Sequence, residues 1–327
     1  MSVKNSMNKP KLIVIVGPTA VGKTALSVAL AQKFNGEIIS GDSLQVYQQL
    51  DIGTAKATKE EQAGVPHYLL DVIPLEGSYS ASHFQQAARQ HIVDIVSHGK
   101  TPIVVGGTGL YIQSLLFDFE LGADEGQVTE AEKQAFREKW ETIMLTEGRD
   151  KPWQYLKQID PEAAATIHEN NTRRVIRALE LKELFGRSIT EQQVDFTNLE
   201  NALYDVKIIG LTTERELLYD RINQRVDLMM TQGLMDEVAL LADKRHVQGA
   251  QGIGYKEFFP YLDGRMTLEE AVEQVKQNSR RYAKRQLTWF RNRMPVEWWD
   301  LVQTPDQQIE LEAVIANWLA SEGGPHD

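Results

Sequence analysis

A short segment near the amino terminus has the composition of a phosphate-binding loop. Residues 17–24 read GPTAVGKT, which matches the pattern G-x-x-x-x-G-K-[ST] between an apolar run and a helical pattern. In such a loop the backbone amides surround a phosphate, the lysine brings a positive charge to it, and the next hydroxyl can bind magnesium. The pattern does not tell which phosphate compound is bound. The predicted loop residues are Gly17, Pro18, Thr19, Ala20, Val21, Gly22, Lys23 and Thr24, with Thr24 as the metal ligand.

The acidic residue best placed to work beside this loop is Asp42, in the segment GDSLQVY. It follows an apolar run, and ligands of open parallel sheets bind beyond the carboxyl ends of the strands. A second apolar run, TPIVV, ends instead in the glycine-rich turn of residues 106–109, without the carboxylate that ATPases carry there. Asp42 is therefore a metal ligand or general base, or else the cap of a following helix, and its position leaves these readings open.

Basic residues form further groups along the chain. Arg221 and Arg225 are four residues apart on a predicted helix, so they share a face and could clamp a pyrophosphate or form ordinary surface ion pairs. Between Glu273 and Glu297 there are seven basic residues and no acidic one. Aromatic residues interleave with these bases, a combination that suits RNA, where phosphates meet cations and unstacked bases meet rings.

Composition limits the possible functions. The chain has 327 residues with 35 basic and 46 acidic side chains, and its net charge of −11 argues against general nucleic-acid affinity. Residues 118–205 hold 19 of the acids and 11 of the bases, so the rest of the chain carries only −3. The absence of cysteine excludes disulfides and thiolate chemistry. No secretory signal or membrane-length apolar run is found, so we expect a cytoplasmic protein, with monomer as the default state.

Short apolar runs separated by helix-length segments predict an α/β fold with a parallel sheet flanked by helices. We predict helices from Glu130 to Thr146 and from Asn171 to Phe185, and hence an inserted all-helical subdomain at 118–205 within a core made of 1–117 and 206–327. The predicted strands are Lys11–Val16, Glu37–Ser40, Tyr68–Val72, Thr101–Val105 and Val206–Leu211.

Two further helices are predicted in the carboxyl-terminal part. Thr213 and Glu216 have the spacing of a capping box, which would open a helix reaching about Gln232. A long helix from Leu268 to Arg293 carries the basic and aromatic residues described above.

Taken together, the motifs resemble those of the tRNA dimethylallyltransferases, also called tRNA isopentenyltransferases, of the bacterial type. The similarity runs along most of the chain and includes GPTAVGKT, SGDSLQVY, DIGTAK, GVPHYLLDV, YSASHF, PIVVGGTGLYI, NNTRRVIRALE, QGIGYKE and KRQLTWFRNR.

The resemblance implies a P-loop core related to small kinases, with a helical insertion that contacts the anticodon stem-loop. Members of this family transfer the dimethylallyl group of dimethylallyl diphosphate to the exocyclic amine of the adenosine 3′-adjacent to the anticodon, position 37, in tRNAs that read codons beginning with U. Pyrophosphate leaves, and Mg²⁺ is the cofactor. Rivals are prenyl transfer to a free adenine nucleotide, a P-loop small-molecule kinase, and a non-catalytic RNA-binding or nucleotide-switch protein.

By the same resemblance, Asp42 is expected to be the general base, and Lys23, Thr108 and Arg225 complete the catalytic group. Contacts with tRNA are expected from Asp42, Ser43, Leu44, Gln45, Thr108, Arg173, Arg174, Arg177, Gln251, Gly252, Gly254, Tyr255, Lys256, Lys284, Arg285, Gln286, Trp289 and Arg291.

Overall fold

The computed structural model describes residues 9–118, 128–191 and 195–321. The chain divides into two units, one made of Met1–Asp118 with Phe196–Asp327 and the other of Phe119–Asp195. Among the described residues, no helix is both long and apolar enough to cross a membrane.

A six-stranded parallel sheet forms the centre of the first unit, in the order β3-β2-β4-β1-β5-β6. The apolar, β-branched residues of β1 are fully buried from Leu12 to Val16, because β4 and β5 flank this strand and helices cover the sheet. The strands are β1 (Lys11–Val16), β2 (Gly36–Ser40), β3 (His67–Tyr68), β4 (Thr101–Gly106), β5 (Asp205–Leu211) and β6 (Glu297–Trp299).

Thirteen α-helices occur in the described part of the chain, four of them in the second unit. The helices are α1 (Lys23–Lys33), α2 (Lys59–Gln62), α3 (Ala81–Ser97), α4 (Gly109–Leu116), α5 (Glu130–Thr146), α6 (Lys151–Ile159), α7 (Pro161–Thr166), α8 (Thr172–Phe185), α9 (Arg215–Thr231), α10 (Leu234–Leu240), α11 (Phe259–Leu262), α12 (Leu268–Arg293) and α13 (Gln307–Ala320).

The connections of the sheet determine where a ligand can bind. From β1 the chain passes to β2 on one side, whereas from β4 it continues to β5 on the other side of β1. Neighbouring strands whose connections diverge leave a crevice at their carboxyl ends, where α/β proteins bind ligands. The phosphate-loop sequence follows β1, the segment with Asp42 follows β2, and the turn of residues 106–109 follows β4. All three predicted functional segments therefore lie at the carboxyl-terminal end of the sheet.

The second unit is helical, with its own apolar core built around Phe136, Trp140, Leu156 and Leu179. Two acidic residues are buried among its described residues, Asp160, which caps α7, and Glu180. The carboxylate of Glu180 accepts a hydrogen bond from Arg137 at 2.9 Å and lies 3.3 Å from the guanidinium of Arg177. Two cations thus compensate the buried charge.

The structure confirms the α/β class and four of the five predicted strands. The prediction of a strand at Tyr68–Val72 is wrong beyond its first residue, because Leu69 and Asp71 adopt φ values of 62° and 55° and turn the chain away. The edge strand β6 was not predicted.

The predicted capping box at Thr213 is also wrong. Glu214 occupies the cap position of α9 without a side-chain hydrogen bond, and the buried Thr213 hydroxyl has no partner within the described residues. The spacing alone did not identify the cap. The equivalent pattern at Thr267 and Glu270 does form a capping box, at the start of α12.

Candidate active site

The phosphate loop joins β1 to α1 in a conformation that its glycines allow. Gly17 has φ 142°, and a Cβ there would lie 2.5 Å from the carbonyl oxygen of Leu211 on β5. Gly22 has φ 98° and precedes α1 with no side chain capping the helix. The first amides of α1 are therefore free to bind an anion, and the helix dipole favours one.

The cationic side chains of the site lie at this loop without acidic partners. The Lys23 ammonium donates to the Pro18 carbonyl at 2.6 Å, and Arg225 of α9 donates to the Thr19 hydroxyl at 3.4 Å. Arg221, one turn earlier on α9, donates to the Ala20 carbonyl at 2.8 Å. In the part of the chain that the structure describes, neither Lys23 nor Arg225 forms an ion pair.

Asp42 faces this cationic group from the carboxyl end of β2. Its Oδ1 accepts the amide hydrogen of Leu44 at 2.9 Å, and the residues after it form turns, so the reading of Asp42 as a helix cap is wrong. Burial raises the pKa of the Asp42 carboxyl above its usual range, although the Leu44 amide and the charge of Lys23 oppose this.

The surroundings also shift the pKa values of the neighbouring cations, Lys23 and Arg225. Burial lowers the pKa of the Lys23 ammonium to about 8, repulsion from Arg225 adds to this, and Asp42 opposes it. Burial likewise lowers the pKa of the Arg225 guanidinium. All three charged residues keep partial contact with solvent. Cations held this way without carboxylate partners gain most from an added anion.

Thr24 has the properties required of a magnesium ligand. Its hydroxyl, in the first turn of α1, has no hydrogen-bond partner among the described residues, while its carbonyl accepts the Ser27 hydroxyl at 2.8 Å. No group of three or more His, Cys, Asp or Glu residues that could hold a metal is found in the described ranges. This donor set fits Mg²⁺, which keeps waters and is held in such sites largely by the phosphates of the substrate.

Thr108, at the amino-terminal end of α4, contacts the residue that follows Asp42. Although it occupies the cap position, its hydroxyl caps nothing: it accepts the Ser43 amide hydrogen at 3.3 Å and donates to the Ser43 hydroxyl at 3.4 Å. Thr108 thus fixes the residue next to Asp42.

The glycines around Thr108 are required by close packing. A Cβ on Gly106 would lie 2.2 Å from the Gly41 backbone, one on Gly107 would lie 2.0 Å from the Gln286 amide nitrogen, and one on Gly109 would lie 2.4 Å from the Trp289 ring. The turn is therefore glycine-rich because the segment after β2 and helix α12 rest directly on it.

A second loop supports the Asp42 segment. The Gln45 side chain accepts the Ser40 hydroxyl at 2.8 Å and donates to the carbonyls of Thr54 and Ala55, both at 3.3 Å. Its hydrogen-bonding groups are thus engaged within the protein, which suits a role in holding the two loops together.

The buried carboxylate of Glu237 orders residues 51–53 of that second loop. Its Oε1 accepts the amide hydrogens of Asp51 and Ile52 at 2.8 and 2.7 Å, and its Oε2 accepts the Gly53 amide at 3.0 Å and the Tyr255 hydroxyl at 2.8 Å. Glu237 was not predicted, and nothing in the sequence of α10 distinguishes it from an ordinary surface acid.

Helix α12 carries an exposed row of five cations along its length. Its members have no ion-pair partner in the described residues, and from first to last they span roughly 18 Å at the helical rise. By contrast, Lys276 pairs with Asp227 at 2.6 Å and Arg280 with Glu273 at 2.9 Å. We call the row the α12 cation row, which consists of Arg281, Lys284, Arg285, Arg291 and Arg293.

The structure divides the residues predicted to contact tRNA into exposed and internal ones. Lys284, Arg285 and Arg291 belong to the α12 cation row, whereas Gln286 is 6% exposed and Trp289 is half-buried on Gly109. The other exposed members are Gln251, Lys256, Arg173 and Arg174, and the half-buried ones are Asp42, Ser43, Leu44, Gln45, Thr108 and Arg177. Buried members are Gly252, Gly254 and Tyr255.

Tyr282 completes the site and was not among the predicted site residues. It lies on α12 four residues before Gln286 and is half-buried. Burial raises the pKa of this phenol to about 12, and the negative charge of Asp42 contributes. Its helical spacing with Gln286 and Trp289 is the sequence signal that could have identified it.

Comparisons with known proteins identify the family of the chain. A family model described as IPP transferase matches residues 45–293. A tRNA dimethylallyltransferase of Enterococcus faecalis is 56% identical over 309 residues, which cover 94% of this chain and 97% of the relative.

Solved structures show the same similarity. A tRNA isopentenylpyrophosphate transferase from Bacillus halodurans superposes with a TM-score of 0.70 at 48% identity, covering 95% of this chain and 97% of that one. A eukaryotic dimethylallyltransferase acting on tRNA gives a TM-score of 0.80 at 30% identity, covering 97% of this chain and 81% of that one.

Proposed function

The chain belongs to the IPP transferase family of tRNA dimethylallyltransferases, and from that premise we propose which of its residues carry out each part of the reaction. The enzyme transfers a dimethylallyl group to tRNA. We propose dimethylallyl diphosphate as the donor and the exocyclic amine of adenosine 37, the nucleotide 3′-adjacent to the anticodon, as the acceptor.

One observation supports this most strongly: Lys23 and Arg225, which form no ion pair in the described residues, lie at a phosphate loop beside the carboxylate of Asp42. A diphosphate would satisfy the cations and the free amides of α1 together. The carboxylate then remains available to the acceptor.

The acceptor amine needs help to react, because its lone pair is delocalised into the adenine ring. As the amine nitrogen bonds to the first carbon of the dimethylallyl group, the bond from that carbon to the diphosphate oxygen breaks, and pyrophosphate leaves with the bonding electrons. Asp42 accepts the proton that the amine loses. Positioned acid–base catalysis of this kind contributes typically about 10²–10⁴-fold.

The larger requirement is the charge that develops on the leaving group. Lys23, the amides of the phosphate loop and Arg225 are placed to stabilise this negative charge as it forms. When bound, Mg²⁺ would neutralise part of the pyrophosphate charge, and Thr24 is its proposed protein ligand. Thr108 holds the Ser43 backbone and with it the direction of the Asp42 carboxylate.

We propose that the α12 cation row binds phosphates of the tRNA, since its five cations are exposed and have no ion-pair partner in the described residues. The exposed Arg173 and Arg174 of the second unit are proposed as additional contacts. The adenine must leave its stack to reach Asp42, which costs a few kcal/mol that these contacts offset. The buried predicted residues, Tyr255 among them, support the loops instead.

Two rival activities are not favoured. Relatives over nearly the full length are named for action on tRNA, not on a free nucleotide. A small-molecule kinase would use the same loop but phosphorylate a hydroxyl. Because one chain supplies every proposed site residue, we propose that it acts as a monomer, and we propose the cytoplasm, where tRNA is used, as its location.

The activity is tested by incubating purified protein with labelled dimethylallyl diphosphate, Mg²⁺ and unmodified tRNA, in parallel with AMP and with tRNA whose position 37 is guanosine. We expect label only in the tRNA with adenosine 37. The exposed Asp306→Asn variant should match wild type, whereas Asp42→Asn should lose transfer. Label in AMP, or in the tRNA with guanosine 37, would contradict the proposed acceptor.

A further inference from the structure

Ala20, in the middle of the phosphate loop, adopts a backbone conformation that alanine rarely takes. Its φ is 64°, in the left-handed region, and it lies between two glycines with positive φ, Gly17 and Gly22. The Cβ of an alanine makes this region unfavourable, so such a residue keeps the conformation only where its surroundings hold it in place. The contacts around Ala20 are therefore part of what fixes the shape of the loop.

Helix α9 holds Ala20 at both its side chain and its carbonyl group. The side chain packs against a small apolar cluster made of Leu218 and Ile222 of α9 and Ala283 of α12. The carbonyl oxygen of the same residue accepts a hydrogen bond from Nε of Arg221 at 2.8 Å. Because Leu218, Arg221 and Ile222 are three and four positions apart, one turn of α9 supplies both kinds of contact.

The environment of Arg221 is not that of a surface ion pair. In the part of the chain that the structure describes, its side chain is exposed, has no acidic partner and forms one hydrogen bond, the one from Nε to Ala20. Arg225, one turn later, donates to the neighbouring Thr19 hydroxyl at 3.4 Å. Helix α9 thus holds two consecutive residues of the loop.

The bond to the Ala20 carbonyl also determines the direction of the next amide. A trans peptide group is planar, so its C=O and its N–H point in opposite directions. With the Ala20 carbonyl bound to Arg221, the Val21 amide hydrogen points away from Arg221. This amide donates no hydrogen bond within the described ranges, and a free amide of a phosphate loop is a donor for an anion.

We propose that Arg221 is a positioning residue of the diphosphate site: its Nε holds the Ala20 carbonyl and so keeps the Val21 amide hydrogen available to the diphosphate. The inference rests on the proposed function, in which the loop binds the diphosphate of the donor. When the loop leaves the binding conformation for part of the time, the apparent affinity falls by the fraction lost. Loss of the bond should therefore weaken diphosphate binding.

The test uses two neutral variants of Arg221 that differ in one donor. Glutamine carries an N–H at the place of the arginine Nε, whereas methionine carries a methyl group there. Because both variants lack the charge, the ratio of their affinities isolates the hydrogen bond. In calorimetric titrations of pyrophosphate with Mg²⁺ present, Kd should be about 3- to 10-fold higher for Arg221→Met than for Arg221→Gln, the effect of one net hydrogen bond.

The control pair is Arg265→Met and Arg265→Gln, at an exposed arginine that pairs with Asp263, and these two variants should bind pyrophosphate equally. Equal affinities of the two Arg221 variants would overturn the inference, since the guanidinium would then act through its charge alone. A difference of the same size in their affinity for tRNA would overturn it too, because Arg221 would then support the fold as a whole. If wild type does not bind pyrophosphate, the proposed function fails; if wild type binds it and the two Arg221 variants are equal, the inference alone fails.

Discussion

Glu237 should control the order of the loop that supports the Asp42 segment, and Glu237→Gln tests this. The carboxylate is 7% exposed and accepts four hydrogen bonds, three from the amides of residues 51–53 and one from Tyr255. The glutamine amide nitrogen cannot accept a hydrogen bond. In its better orientation the new side chain keeps the two amides at Oε1, and the Tyr255 hydroxyl can turn to accept, but the Gly53 amide is left without an acceptor.

The magnitude follows from these contacts. An unsatisfied buried amide costs about 1–3 kcal/mol, and the loss of charge weakens the remaining bonds by about another 1 kcal/mol in total. The free energy for opening residues 51–53 should therefore fall by about 2–4 kcal/mol. Since about 1.4 kcal/mol corresponds to tenfold, amide hydrogen exchange there should become about 30- to 1,000-fold faster.

The assay is hydrogen exchange of the native protein, read at residues 51–53 and, for reference, in β1. The control is Glu76→Gln, which removes an exposed ion pair with Lys244 and should change exchange by less than about 1 kcal/mol. Exchange at 51–53 that accelerates less than about fivefold in Glu237→Gln would refute the reasoning. Equal acceleration in β1 would mean global destabilisation instead of local loosening.

Three further outcomes are expected. Pyrophosphate affinity should weaken as the pH rises past about 8, because the lowered pKa of Lys23 removes its positive charge there; calorimetric titration across this range would show no change if Lys23 does not bind the anion. Lys284→Ala should reduce the slope of log affinity for tRNA against log salt concentration by about 1. Lys276→Ala should change this slope less, because Lys276 is already paired with Asp227. Equal effects of the two substitutions would contradict the proposal that the α12 cation row binds tRNA phosphates. Gly109→Ala should force the Trp289 ring away and destabilise the fold by about 1–3 kcal/mol, so an unchanged melting temperature would show that α12 does not rest on this turn.

Prediction from the sequence succeeded where residues that are close together in the chain determine the local secondary structure. The buried strands followed from short apolar runs, and the strand and the helix on either side of residues 17–24 lie where the motif predicts them. It failed at β3, where Leu69 and Asp71 accept left-handed conformations that no propensity predicts. The hydrogen bonds between Thr108 and Ser43 could not be predicted either, because the two residues are 65 positions apart in the chain.

The side chains that pack behind the site were the hardest to predict from the sequence. Tyr282 is one aromatic residue among several on a basic helix, and only the structure shows that it is half-buried. Gln286 was expected at the RNA, yet its amide donates to the Gly107 carbonyl. Such assignments depend on which face of a helix is buried, and a sequence with few apolar residues on that face does not reveal it.

The most direct test of the central claim separates binding from chemistry in Asp42→Asn. The asparagine keeps an oxygen for the Leu44 amide, so the loop should remain in place while the base is lost. In single-turnover reactions with saturating enzyme, dimethylallyl diphosphate and unmodified tRNA, the rate of transfer should fall about 10²–10⁴-fold, with affinities for both substrates within about threefold of wild type. A single-turnover rate equal to that of wild type would contradict the assignment of Asp42 as the base that accepts the amine proton.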